Sequence, residues 1–150
     1  MPPSRAPNGV YRKNIPIRFA DVDFARILYF PRQFHFLHIT MEDFFREVLD
    51  IPYSVMLKTD RIGFPTVHLD ADFLVPQEFG DEVEIAMRVV EIGKSKVVFG
   101  YEVLNKGKVA ARCTQTTVAV DPEKWKSIEL PGKYRAALEK VKALAGGGKK

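Results

Sequence analysis

Apolar and polar positions change period three times along the chain, and each change marks a new kind of element. Between Tyr11 and Phe19 the apolar residues Ile15, Ile17 and Phe19 fall on every second position, the spacing of a half-buried strand. Pro16 removes one ladder donor from it, which fits an edge strand or a bulge. From Pro31 the step lengthens to three and four. Phe34, Leu37, Met41, Phe44, Phe45 and Val48 then form one wide apolar face, and Arg32, Glu42, Asp43, Arg46 and Glu47 supply the polar positions. This predicts a long helix with Pro31 at its first position, ending near Asp50 ahead of Pro52. A short helical turn is expected over Tyr53 to Lys58.

Period two returns from Gly63 to Asp121. A strand is expected over Phe64 to Val75 and a turn over Pro76 to Asp81. Val83, Ile85, Met87 and Val89 then alternate with Glu84, Ala86 and Arg88. Gly93-Lys94-Ser95-Lys96 reads as a hairpin turn, followed by Val97, Phe99, Tyr101 and Val103 on one face. Asn105 to Lys108 is a second hairpin turn, and Val109 to Val120 a long last strand. Tyr134 to Leu144 closes the sequence as a helix with Ala137, Leu138, Val141 and Leu144 on one side. Strand, long helix, then four strands joined by tight turns describe an α+β fold, an antiparallel sheet that must bury one apolar helix. One domain is expected over residues 10–145, between a flexible leader at 1–9 and a flexible tail at 146–150.

Composition supports a packed domain. The 150 residues are 46% hydrophobic with eleven phenylalanines, and a chain of this size buries about 70% of its unfolded surface. Net charge is +4, but the excess sits at the ends. Residues 1–18 carry four basic groups and no acid, residues 133–150 six basic groups against Glu139, and residues 19–132 hold 13 basic against 18 acidic. The body is therefore acidic, which argues against a nucleic-acid groove. No stretch approaches the roughly 18 apolar residues of a bilayer span, so no membrane insertion is expected. A single cysteine excludes an internal disulfide framework and fits a reducing compartment, with the cytoplasm as the expected location.

The candidate chemistry lies in the loop between first strand and helix. Asp21 and Asp23 stand two apart, and Pro31 follows Asp23 by eight residues. A carboxylate is thus held near a helix start, where unpaired N–H groups and partial positive charge favour an oxyanion. Asp23 reads either as a reacting carboxylate or as a turn-forming aspartate, and Asp21 as a loop-ordering one. His35 and His38 share a helix face, but nothing arranges a third metal ligand such as His68 or Asp70. Cys113 shares strand parity with Val109 and Ala111 and is expected to be a buried, inert thiol. No serine sits in a Gly-x-Ser-x-Gly elbow, and no glycine loop of the phosphate-cradling kind is present.

These residues carry a resemblance. The run Asp21-Val22-Asp23-Phe24-Ala25-Arg26-Ile27-Leu28-Tyr29-Phe30-Pro31 resembles the Asp-x-Asp-Pro-Ala-Gly-Ile-Val-aromatic-aromatic-Pro motif of hotdog-fold acyl-CoA thioesterases of the 4-hydroxybenzoyl-CoA thioesterase type, the group that includes the Tol-Pal-associated thioesterases. Phe64-Pro65-Thr66-Val67, Asp72-Phe73, Gly80-Asp81 and Val118 to Asp121 extend the likeness from about Val10 to Leu138.

The resemblance implies a hotdog fold, with the sheet wrapped around one central helix, and hydrolysis of an acyl- or aroyl-CoA without a cofactor or metal. By the same resemblance Asp23 is the catalytic carboxylate, as nucleophile or general base, and the Phe30 backbone N–H the oxyanion donor. Tyr29, His38 and Thr66 fall at substrate-binding positions. The turn Lys94-Ser95-Lys96 falls where relatives meet coenzyme A phosphates, although a hairpin lysine is ordinarily a solvated surface charge. A homodimer or homotetramer with the site between subunits is also implied. Three positions depart from the pattern, the first being Phe24, which stands where the motif has proline. Arg26 replaces the motif's glycine and must either strain the loop or pair with Asp21, and His38 replaces the acid that holds a phenol. A non-catalytic acyl-CoA-binding hotdog protein is the alternative reading, and a dehydratase or hydratase a more distant one because the helix-entry loop has no histidine.

Overall fold

Four of the expected strands and the expected first one form a single sheet. The structure, a computed structural model, describes residues 5–147. Strands β1 (Tyr11–Pro16), β2 (Thr66–Phe73), β3 (Glu82–Ile92), β4 (Lys96–Asn105) and β5 (Lys108–Val118) are ordered β1-β3-β4-β5-β2, every neighbour antiparallel. Helix α1 (Phe30–Glu47) lies on one face of this sheet. The alternation predicted for β3 and β4 is realised: Val83, Ile85, Met87 and Val89 are buried, as are Val97, Phe99, Tyr101 and Val103. Phe44 and Phe45 of α1 meet Phe99 with ring centroids 5.9 and 6.3 Å apart, and both are fully buried. Truncating either to alanine would cost about 3–5 kcal/mol. The α+β architecture follows from this one contact surface.

The edges of elements differ from expectation, each for a local reason. Strand β1 stops at Pro16, because Ile17 donates to the Asp81 carbonyl (2.8 Å) and the Arg18 N–H to the Asp21 carboxylate (2.8 Å), turning the chain away from the ladder. Phe19 is consequently 80% exposed and takes no part in the strand face that Ile15 and Ile17 share. Helix α1 begins one residue before Pro31 and ends at Glu47, short of Asp50, whose φ of +61° breaks the helical path. Val55–Asp60 forms a wide π-type turn closed by Arg61 at φ +56°. The last long strand ends at Val118, and Val120–Asp121 (β6) pairs instead with Lys126–Ser127 (β7), a hairpin the sequence reading does not contain.

Helix α2 (Gly132–Gly147) folds back beside β3 and the N-terminal segment. Of the leader expected at residues 1–9, residues 1–4 lie outside the described residues. Ala6 is fully buried, and a side chain at Gly9 would meet Ala145 at 2.9 Å. Of the expected tail, residues 148–150 lie outside the described residues, while Gly146 and Gly147 close α2. No helix among the described residues is long and apolar enough to cross a membrane.

Candidate active site

The loop from Ile17 to Tyr29 is built around one buried carboxylate. Asp21 is 4% exposed. Its Oδ1 accepts from Nε (3.0 Å) and a terminal guanidinium nitrogen (2.7 Å) of Arg32, its Oδ2 from the Arg18 N–H, and its carbonyl from the Tyr29 N–H (2.9 Å). Asp21 therefore fastens the loop to the first turn of α1. Arg32 is the partner, not Arg26.

Asp23 sits at the tip of a small hairpin that Val22 and Leu28 close. Its N–H donates to the Ile27 carbonyl (3.1 Å), its carbonyl accepts from Arg26 (2.9 Å), and its Oδ1 accepts from the Ala25 N–H (2.9 Å). Among the described residues no group donates to Oδ2, so one oxygen shapes the turn and the other faces out. Arg26 occupies φ +68°, the left-handed conformation that a glycine would take without strain. Phe24 beside it is fully exposed. The hairpin is docked on the segment before β3: Leu28 donates to the Gln77 carbonyl (2.7 Å) and Phe79 to the Arg26 carbonyl (3.2 Å).

Two residues after Leu28 the helix starts with few of the usual devices. Tyr29 is the N-cap and makes no side-chain cap bond, and no acid lies in the first turn. Arg32 turns back to the Tyr29 carbonyl (2.8 Å), and among the described residues nothing accepts from the Phe30 N–H. An unpaired donor thus stands at the positive end of an 18-residue helix. Phe30, with Ile27 and Leu28, forms one side of a cavity of about 540 Å³; Phe73 to Gln77 form the other. Asp23 is not part of that wall within one chain.

The remaining expected site residues are spread out. Tyr29 is half exposed with its ring 6.0 Å from that of Phe30. His38 is exposed on α1, 3.7 Å from Glu42 and with its ring 6.1 Å from that of Tyr53. Thr66 accepts from Gln115 (2.8 Å) at the start of β2, and Lys96 is tied to Glu91 (3.1 Å). Lys94 and Ser95 lend their carbonyls to Leu130 and Ala119. Register puts Thr66 and Lys94 to Lys96 at one end of the sheet and the Asp23 hairpin at the other. The 11 residues of β3 span about 33 Å between those ends. His68 is 3.1 Å from Asp70 on β2, away from His35 and His38 on α1. Cys113 is buried as expected, and burial pushes its thiol up to about 11.

Sequence reading missed two residues of the cavity region. Gln33, fully buried, accepts from Gln77 across 2.6 Å, and Gln77 is itself 4% exposed. The available signal was that Gln33 stands four before Leu37 and eight before Met41, a polar residue on the apolar stripe.

Comparison with known proteins agrees with this architecture. Residues 17–138 match the family model described as the thioesterase-like superfamily. The chain belongs to that superfamily. Within it, a 1,4-dihydroxy-2-naphthoyl-CoA hydrolase from Nostoc punctiforme is 30% identical over 126 residues, covering 84% of each chain. A DHNA-CoA thioesterase from Staphylococcus aureus superposes with a TM-score of 0.86 at 22% identity, covering 94% of this chain and 96% of that one. A gentisyl-coenzyme A thioesterase gives a TM-score of 0.74 at 26% identity, covering 84% of this chain and 98% of that one. The five-stranded sheet and long helix are those of a hotdog fold, and the superfamily matches from the end of β1 to the middle of α2.

Proposed function

We propose that the protein hydrolyses the thioester of an aroyl- or acyl-coenzyme A, with Asp23 as the reacting carboxylate. The observation that carries this reading is the pairing of a tethered carboxylate with an unpaired N–H at a helix start, both attached to one loop that Asp21 and Arg32 hold rigid. The outward Oδ2 of Asp23 attacks the thioester carbon, or takes a proton from the water that does. Charge that develops on the carbonyl oxygen is received by the Phe30 N–H, a contribution typically worth about 10²- to 10³-fold. The C–S bond then breaks, and the thiolate of coenzyme A leaves with the electron pair and needs no strong acid; on the first route the acyl group stays on Asp23 as a mixed anhydride that water then hydrolyses, and on the second the free acid forms directly. The names of the relatives favour an aromatic acyl group. The Asp21 to Pro31 run favours the 4-hydroxybenzoyl-CoA thioesterase type within the superfamily. A cytoplasmic setting is in keeping with the single buried cysteine.

A dimer belongs to the same proposal. Strand β2 is a sheet edge, with Val67 60% and Phe73 49% exposed. Two copies joined antiparallel along β2 would set the Phe73 end of one beside the Thr66 end of the other. The Lys94 to Lys96 turn of the partner would thereby approach the Asp23 hairpin, which one chain alone holds about 33 Å away. A coenzyme A whose acyl end sits beside Phe30 could then meet those lysines in trans.

The rival reading, a protein that binds acyl-CoA without turnover, draws on two observations: Asp23 Oδ1 is engaged by Ala25, and Asp23 stands outside the cavity wall of one chain. Thiol release from a panel of alkyl and aryl acyl-CoAs, wild type against Asp23→Asn, separates them. Hydrolysis predicts turnover that falls by about 10²-fold or more in the variant with the fold intact. Bound acyl-CoA with no thiol released by the wild type would leave the binding protein.

A further inference from the structure

A tryptophan stands in the open at the tip of the β6–β7 hairpin. Trp125 is 69% exposed and occupies φ +53°, a left-handed conformation that is costly for a residue with a β-carbon. The tip is nevertheless held from several sides. The Trp125 N–H donates to the Asp121 carbonyl (2.7 Å), and Asp121 Oδ1 accepts from the Glu123 N–H (2.9 Å). Arg61, at the end of the π-type turn, pairs with Glu123. Val120 bridges Gly63 and pairs with Ser127, which fixes the base of the hairpin. A single exposed apolar side chain is ordinary. An indole fixed at a strained tip is not, because it contributes little burial to the fold. Its amphipathic, flat face suits a planar ligand that stacks.

The frame that carries this indole also carries the Lys94 to Lys96 turn. The Ala119 N–H donates to the Ser95 carbonyl (2.9 Å) and the Leu130 N–H to the Lys94 carbonyl (2.8 Å), so both strands of the hairpin spring from that turn. Two residues of chain separate Ala119 from Asp121, which places the Trp125 backbone within roughly 13 Å of the Ser95 backbone. Lysine and indole side chains reaching inward from those two points bracket one nucleotide, with phosphates on the lysine side and the base on the other. We infer that Trp125 stacks on the adenine of the coenzyme A whose phosphates the Lys94 to Lys96 turn receives. Stacking asks only for a π face, and a rigid platform loses little freedom on binding. Charge favours a base over a lipid surface. Within residues 120–127, Lys124 and Lys126 are offset by Asp121 and Glu123, so the tip has no net positive charge to draw it to an anionic membrane. In the dimer proposed above, this end of one sheet faces the Asp23 hairpin of the other copy. Base, phosphates and thioester then lie along one path.

This inference rests on the thioester-hydrolase reading for the identity of the ligand. Trp125 is the only tryptophan of the chain, so tryptophan emission reports the tip alone. Adenosine 3′,5′-bisphosphate and coenzyme A are expected to quench that emission saturably. 4′-Phosphopantetheine, which has no base, should leave it unchanged. Trp125→Leu keeps the β-carbon, hence the backbone cost, and disturbs no buried side chain. In that variant the Kd of coenzyme A by calorimetry should rise about tenfold while that of 4′-phosphopantetheine stays the same. Trp125→Tyr should restore most of the affinity, because its ring offers the base a similar face. Emission that ignores coenzyme A while calorimetry records its binding overturns the inference, and so does a failure of coenzyme A to bind at all. A Trp125→Leu protein whose mass in sedimentation departs from that of the wild type also overturns it, by placing the indole between copies. The hydrolase reading fails separately: a wild type that binds coenzyme A with quenching yet releases no thiol from any acyl-CoA is no hydrolase and keeps the stacking site.

Discussion

Arg26 is the residue at which this chain departs furthest from its motif, and the backbone registers it. At φ +68° a side chain with a β-carbon is held where glycine would be at ease. The strain is carried by the hairpin that presents Asp23, because the Arg26 N–H and carbonyl bond Asp23 and Phe79. Arg26→Gly should therefore relax the loop. We expect a gain of about 0.5–1 kcal/mol, read as a rise of about 2–3 °C in the melting temperature by calorimetry. An unchanged or lower melting temperature would mean that the Arg26 side chain stabilises the loop by as much as its backbone costs. The role of Asp21 was readable from sequence as loop ordering, but its partner was not. Arg26 is nearer in sequence, yet the helix start brings Arg32 back to the carboxylate.

At the scale of elements, the turn that leads into β3 is held by Asp81. Its carboxylate accepts from Asn105 Nδ2 (2.9 Å) and the Glu78 N–H (2.9 Å), with Lys106 3.4 Å away. Those bonds, Asn105 foremost, hold its carboxyl below the ordinary value of 3.8. Asp60 is held low in the same way by Lys133 and Tyr134, which ties the π-type turn to α2. A carboxyl lowered on folding adds stability above its unfolded value and loses it as pH falls through the folded one. The melting temperature should thus be flat from neutral pH to about 5 and drop on acidification below about 4, with Asp81→Asn flattening part of the drop. A drop of the same size in the variant would remove Asp81 from this account.

The same scale shows what was legible in the sequence. The apolar periods of α1, β3 and β4 gave those elements because each buries one whole face. The ends were less legible, since Ile17 to Asp21 and Val118 to Ser127 are set by backbone bonds to distant segments, Asp81 and Gly63 among them. The site loop could be read because its residue types are unusual together. Gln77 could not, because only the docking of the Asp23 hairpin makes it part of a wall.

The molecule as a whole leaves one long ladder edge open at β2, and the proposed site needs that edge filled. Val67→Glu places a charge on the expected seam, near its Thr66 end, without touching the buried core. Sedimentation should then show a species of 17.0 kDa in place of one of twice that mass or more, with acyl-CoA turnover lost in parallel. A monomeric wild type of full activity would sink the shared-site reading.

The N-terminal turn at Pro7–Gly9 and the last turns of α2 are the other place where distant parts of the chain meet. Gly9 lies so close to Ala145 and the Val141 carbonyl that no side chain fits between them. The two extremities of the fold thus act as a clasp. Segments seated this tightly are expected to loosen together, so the first strand and the final helix share one threshold for local opening.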